Sequence, residues 1–118
     1  MKVSELVGPL LDLWVAIADG DKIAPHYRTP DVMNGRYWLK MGIGSSVKEC
    51  PFYSTHWRDG GRIVGGLIET GYIFMRNDPT GPVICVNAWG KMDGDTTLIC
   101  AARTFVNSRL GAEVADTP

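Results

Sequence analysis

The sequence predicts an α+β fold: an N-terminal helix, an antiparallel β-meander of about three to five strands, and a C-terminal helix, with both helices packed on one sheet face. Two observations support this fold class. Apolar residues recur at helical spacing near each end of the chain, and short apolar runs separated by turn residues fill the middle. The length of 118 residues suits one domain, 1–118, with a single hydrophobic core.

The N-terminal helix is predicted over residues 4–19. Ser4 is the expected N-cap, and Gly20 is expected to end the helix in a left-handed conformation. Pro9 lacks a backbone N–H, so the first turn is expected to be distorted. The buried stripe of this helix comprises Leu6, Leu10, Leu13, Trp14 and Ile17.

Strands and turns are predicted over residues 35–90. Residues 77–82 read Asn-Asp-Pro-Thr-Gly-Pro, which is typical of a turn, and residues 42–46 are expected to form a loop. The strand candidates are residues 36–40, 67–69, 72–76 and 83–89. The last of these is rich in β-branched residues and is expected to be an interior strand.

The C-terminal helix is predicted over residues 97–110, after a turn at 93–95. Thr96 or Thr97 is the expected N-cap, and Gly111 is expected to end the helix. The apolar face is expected to comprise Leu98, Ile99, Ala102, Phe105, Val106 and Leu110, and the solvent face Thr104, Asn107 and Ser108.

Charge and composition exclude several classes of protein. Lys and Arg number 12 against 13 Asp and Glu, and the resulting net charge of −1 argues against general nucleic-acid binding. The first residues lack the apolar stretch of a signal peptide, and the longest apolar run, residues 13–18, is too short to span a membrane. We therefore expect a cytoplasmic protein. Its cysteines, Cys50, Cys85 and Cys100, share no close spacing and are expected to be reduced, so no metal or cofactor site is predicted.

Residues 60–66 read Gly-Gly-Arg-Ile-Val-Gly-Gly and invite comparison with a phosphate-binding loop. A P-loop continues with Lys and then Ser or Thr, whereas Leu67 and Ile68 follow here. We therefore predict that these glycines form a flexible connection or a bulge. Exposed amides of such a segment can still line an anion pocket.

Catalytic residue types occur close together between residues 50 and 59. Ser54, His56 and Asp59 are the types found in a catalytic triad, and Cys50 with His56 offers a thiol pair. Such sets are defined by geometry rather than by proximity in sequence. We therefore predict no enzymatic activity from them.

The segment 52–58, Phe-Tyr-Ser-Thr-His-Trp-Arg, concentrates aromatic rings, hydroxyls and a guanidinium. Aromatic rings stack on a nucleobase, and arginine and hydroxyl groups bind phosphate or ribose. The alternative is that Trp57 fills the core and the polar groups cap local turns. Arg103 follows the core position Ala102 and is expected either to be exposed or to point into a cleft. The predicted ligand-binding residues are Tyr53, Ser54, Thr55, Trp57, Arg58, Gly60, Gly61 and Arg103.

Three groups of residues share a pattern with one known family. The first group comprises residues 2–6 (Lys-Val-Ser-Glu-Leu), residues 11–16 (Leu-Asp-Leu-Trp-Val-Ala) and Gly20. The second group comprises residues 54–57, 60–61 and 67–69. The third group comprises residues 97–103, Val106, Gly111, Glu113 and Val114. In these residues the chain resembles the NinX-like phage proteins, a family of unknown function. The resemblance implies a phage or prophage gene expressed in the host bacterial cytoplasm, and it implies no established activity.

Two hypotheses about function follow. The first is a non-enzymatic counter-defence protein that acts as a sponge for a small nucleotide-derived ligand, an immune second messenger. A homodimer or larger ring would help a chain of this length to enclose such a ligand. The alternative is a regulator or inhibitor that binds a host or phage enzyme, which predicts an exposed apolar patch.

Overall fold

The computed structural model describes residues 1–24, 37–42, 46–116 and 118, and in this part of the chain it has the predicted α+β fold. A 3₁₀ turn, Val3–Glu5, comes first. The helices are α1 (Gly8–Ala18), α2 (Trp57–Glu69) and α3 (Thr97–Leu110). The strands are β1 (Trp38–Lys40), β2 (Val47–Glu49), β3 (Ile73–Met75), β4 (Val83–Asn87) and β5 (Gly90–Gly94). Among the described helices, none combines the length and the apolar character needed to cross a membrane.

Helix α1 begins about one turn later than predicted, because Ser4 lies in the 3₁₀ turn and does not cap it. Pro9 occupies the first turn of α1, where its missing N–H has no intrahelical partner to lose. Seven of the 11 residues are buried, so α1 is surrounded by the core on most of its circumference. Leu10 and Ile17 of the predicted stripe are only half-buried. Gly20, with φ of +103°, follows the helix as predicted.

The strands form two antiparallel sheets, separated in the chain by α2. In the first sheet β1 pairs with β2, with Leu39 opposite Lys48. In the second, β4 is the interior strand as predicted, and its Cys85 lies opposite Phe74 of β3 and Met92 of β5. Residue 36 of the predicted first strand and residues 43–45 of the predicted loop lie outside the described residues.

Helix α2 is the main departure from the predicted fold. The loop predicted at 60–66 and the strand predicted at 67–69 are wrong, because both segments belong to this one helix. Its four glycines obscure a helical pattern, in which the buried positions are Gly60, Ile63, Val64 and Leu67. Since each glycine weakens a helix by about 1 kcal/mol relative to alanine, α2 depends on packing of this face against α3.

Helix α3 has the predicted bounds. The Thr96 hydroxyl caps it by accepting a hydrogen bond from a backbone N–H at 3.2 Å, and Gly111 ends it with φ of +93°. The predicted faces need two corrections. Thr104, predicted on the solvent face, is buried, and its hydroxyl avoids an unsatisfied state by donating a hydrogen bond to the Cys100 carbonyl at 2.8 Å. Leu110, predicted on the apolar face, is exposed in the last turn.

Helix α3 is also the common partner of the other elements. It contacts α1, α2, β4, β5 and the 3₁₀ turn, and through it the helices pack on the three-stranded sheet. Strand β5 lies very close to helix α3. A Cβ atom added at Gly94 of β5 would lie 2.5 Å from the backbone nitrogen of Cys100 in α3. The turn predicted at 93–95 is therefore displaced: Asp93 and Gly94 belong to β5, and the chain bends at Asp95 and Thr96.

The three cysteines are buried and reduced. Burial raises the pKa of the Cys85 thiol, and it raises the pKa of the Cys100 thiol to about 12. Because the thiolate is the reactive form, we expect no cysteine of the native protein to react with an aromatic disulfide reagent at pH 8. All three should react after denaturation. Rapid labelling of the native protein would contradict this expectation and show that a thiol is accessible.

Candidate functional site

The predicted binding segment, residues 52–58, follows β2 and runs into the first turn of α2, and hydrogen bonds fix its position. The buried Asp12 carboxylate of α1 accepts a hydrogen bond from the Ser54 N–H at 2.8 Å. The Asp59 carboxylate, in the first turn of α2, accepts one from the Phe52 N–H at 2.9 Å. The Phe52 ring lies against the His56 ring, with ring centres 4.4 Å apart. These contacts set the position of the backbone that leads into α2.

Tyr53 and Ser54 belong to the interior. Burial raises the pKa of Tyr53, while a hydrogen bond from Arg62 to its hydroxyl at 3.4 Å opposes that shift. Ser54 is 2% exposed, and its Oγ has no hydrogen-bond partner among the described residues. A buried polar group left unsatisfied costs about 1–3 kcal/mol.

A groove opens beside Ser54, where α2 and α3 both begin. Its volume is about 430 Å³. We call it the Trp57 groove, and its lining residues are Ser54, Thr55, Trp57, Arg76, Thr96, Thr97, Leu98 and Ile99. Trp57 is 58% exposed, so the alternative in which it fills the core is wrong. The lining combines hydroxyls, an indole ring and a guanidinium.

The lining of the groove leaves out five of the eight predicted binding residues, namely Tyr53, Arg58, Gly60, Gly61 and Arg103. Arg58 is largely exposed, and its Nε lies 3.6 Å from the Asp59 carboxylate. The Arg103 side chain is only 12% exposed; its Nε donates to the Leu6 carbonyl at 2.9 Å and its Nη1 to the Asp93 carbonyl at 3.0 Å. Arg103 therefore joins α3 to the N-terminal turn and to β5.

Arg76 supplies the positive charge of the groove, and the sequence analysis missed it. It follows β3, and its guanidinium donates to the Pro79 carbonyl at 3.0 Å and to the Asp95 carbonyl at 3.3 Å. Among the described residues no carboxylate forms an ion pair with it. The guanidinium is thus oriented by two neutral carbonyl groups. No local motif marks this residue, because strand pairing places it beside the start of α3.

Gly60 and Gly61 lie inside α2 rather than in a loop. A Cβ at Gly60 would collide with the Tyr53 carbonyl oxygen and would lie 2.8 Å from Leu98 Cδ2. The Gly60 N–H donates to the His56 carbonyl at 2.9 Å, so it is already satisfied within the helix. A Cβ at Gly61 would lie 3.7 Å from the Trp57 ring. Gly60 therefore allows close packing of α2, and Gly61 leaves space beside the indole.

The catalytic residue types do not converge. Cys50 and Ser54 are buried, whereas His56 is exposed. In the described part of the chain no hydrogen bond joins the side chains of Ser54, His56 and Asp59. Nor do the described residues contain a group of three or more His, Cys, Asp or Glu that could hold a metal ion.

A second cavity, of about 520 Å³, lies where α2 and α3 face the end of α1. Its two arginines have partners: Arg62 Nη2 lies 2.6 Å from Asp19 Oδ2, and the Arg109 guanidinium lies 4.8 Å from the centre of the Phe105 ring. These contacts tie the helices together. The Trp57 groove is the better candidate, because it combines an exposed ring, an unpartnered hydroxyl and an uncompensated cation.

Comparison with known proteins gives no assignment to a family. Neither the protein-family models nor the curated proteins include a match to this chain. The resemblance to the NinX-like phage proteins therefore stays a prediction from the residues on which it is based. The candidate site rests on the geometry of the Trp57 groove.

Proposed function

We propose that this protein is a non-enzymatic binding protein that holds a small nucleotide-derived ligand in the Trp57 groove. The main support is the presence of an exposed indole and an unpartnered buried hydroxyl in one groove. Stacking of a nucleobase on an aromatic side chain is worth about 1–3 kcal/mol. The volume of about 430 Å³ lies in the lower part of the range for small-molecule sites, roughly 300–1,000 Å³.

The biological role that we propose is counter-defence by a phage in the host bacterial cytoplasm. A protein that sequesters an immune second messenger needs tight binding with slow release, and it needs no proton-transfer groups. The groove offers a surface for such a ligand without an assembled catalytic set. A homodimer or larger ring would bury more of the ligand than one chain does.

Calorimetric titration tests this proposal. The panel consists of nucleoside monophosphates, cyclic dinucleotides and cyclic ADP-ribose-type molecules, and we expect measurable heat from at least one of them. Trp57→Ala should weaken that binding about tenfold or more, because it removes the stacking surface. Trp89→Ala is the matched control: Trp89 is 91% exposed in the turn between β4 and β5, away from the lining of the groove, and its removal should leave the affinity unchanged.

Two results would count against the proposal. One is the absence of heat from every nucleotide with protein that is folded by circular dichroism. The other is equal loss of affinity in the Trp57→Ala and Trp89→Ala variants, which would move the ligand away from the groove.

The alternative function, a protein-binding regulator of a host or phage enzyme, has support from a different surface. Ile73 and Met75 of the edge strand β3 are exposed on one sheet face, and Trp89 lies exposed at the neighbouring turn. Exposed apolar residues of this kind are typical of protein-binding surfaces. A stoichiometric host enzyme that co-purifies from infected cells, and that Ile73→Lys releases, would favour this function over the first.

A further inference from the structure

The charge of the Trp57 groove narrows the class of ligand. Among the described residues that line it, Arg76 is the one with a charged side chain, and neutral carbonyls hold its guanidinium. The N-terminus of α3 adds about half a positive charge. The N-terminus of α2 adds less, because the Asp59 carboxylate lies in its first turn. The exposed Asp95 carboxylate, directly before the Thr96 cap, offsets part of this charge, and the Arg76 guanidinium gives the groove a positive bias.

Hydrogen-bond donors are concentrated at the same end of the groove. Helix α3 is capped by Thr96, whose hydroxyl is already occupied by the Ile99 N–H. The N–H groups of Thr97 and Leu98 precede the first intrahelical hydrogen bonds, so they lack an acceptor within the helix. Both residues line the groove together with Ser54, whose buried hydroxyl has no partner among the described residues. Amide and hydroxyl donors beside an arginine are the usual partners of a phosphate.

A phosphate monoester fits this charge better than a phosphodiester does. A monoester carries about −1.5 to −2 at pH 7, with three terminal oxygens that accept hydrogen bonds. A diester carries one negative charge and has two free oxygens, so it offers fewer acceptors to Arg76 and to the Thr97 and Leu98 N–H groups. The volume of about 430 Å³ also suits one nucleotide rather than several.

We propose that the Trp57 groove selects nucleotides with a terminal phosphate monoester, which binds at the start of α3 between Arg76, Thr97 and Ser54, with the base on Trp57. This inference rests on the proposed function and deepens it by naming the ligand class. Arg76 is then a specificity-determining residue, and Trp57 supplies affinity without reading the phosphate.

The test compares matched ligands on the full chain. Each of the four common nucleoside 5′-monophosphates is titrated beside its 3′,5′-cyclic monophosphate and its nucleoside, which share the base and differ in the phosphate. We expect the monophosphate to bind about tenfold more tightly than the cyclic form. Inorganic phosphate alone should compete with the monophosphate and should not compete with the nucleoside.

Variants assign the preference to Arg76. Arg76→Gln should abolish the preference for the monophosphate over the cyclic form, while Arg76→Lys, which keeps the charge, should retain most of it. Arg109→Gln is the matched control, because Arg109 lies near the other end of α3, about 18 Å along the helix from its first residue. That variant should keep the full preference.

The possible failures are distinguishable. If the cyclic forms bind as tightly as the monophosphates, or if Arg76→Gln keeps the preference, the inference about the phosphate is overturned and the proposed function stands. If no nucleotide of any kind binds, the proposed function fails and the inference fails with it.

Discussion

Gly60→Ala is expected to lower the free energy of unfolding by about 3 kcal/mol. The added methyl group would collide with the Tyr53 carbonyl oxygen and would lie 2.8 Å from Leu98 Cδ2. The carbonyl is backbone that Asp12 already anchors through the Ser54 N–H, so it cannot move aside without breaking that bond. Helix α2 would have to shift away from α3, and chemical denaturation would measure the loss.

Gly65→Ala is the matched control for this prediction. Gly65 lies in the same helix, is exposed, and has nothing within 4 Å of the position of its Cβ. The same change should therefore stabilise the protein by about 0.5–1 kcal/mol, the usual gain of alanine over glycine in a helix. Equal effects of the two substitutions would mean that α2 does not pack as described.

Asp12→Ala is expected to cost about 2–3 kcal/mol of stability and to weaken ligand binding as well. Asp12 is buried in α1, and its carboxylate accepts the hydrogen bond of the Ser54 N–H at 2.8 Å. Its removal leaves a buried N–H without this charged acceptor. Because the same backbone positions Ser54 and Thr55 in the groove, thermal unfolding and nucleotide titration should both respond.

Asp12→Asn separates the two contributions of this residue. The amide keeps an oxygen that can accept the Ser54 N–H, so we expect less than half of the loss in stability and near-normal binding. If Asp12→Ala changed neither stability nor affinity, the hydrogen bond from α1 would not be what positions the segment.

The fold was predictable where local chemistry marks an element. Helix α3 lies between a threonine cap and Gly111, and both signals are independent of the rest of the chain. Helix α2 was not predictable in this way, because its glycines resemble a loop and its helical state depends on burial against α3. Strand β5 has few β-forming residues and is specified by its pairing with β4.

The residues that line the Trp57 groove were predictable in part for the same reason. Ser54, Thr55 and Trp57 are neighbours in sequence, so an aromatic and hydroxyl-rich segment revealed them, and they do line one groove. Arg76, Thr96 and Thr97 come from later segments and join them only when β3 and α3 are in place. Because Arg58 is close to Trp57 in sequence, it was the arginine predicted to bind the ligand. In the structure Arg58 pairs with Asp59 and does not line the groove.

The position of α3 in the chain has a consequence for synthesis of the protein. Residues 1–96 leave the ribosome before the helix that contacts α1, α2, β4 and β5. Until α3 emerges, the apolar side chains of α1 that pack on it remain uncovered, so that part of the nascent chain is exposed to chaperones and proteases. Folding should therefore be completed late, and a ribosome stalled before residue 97 should hold a chain that is open to proteolysis at α1.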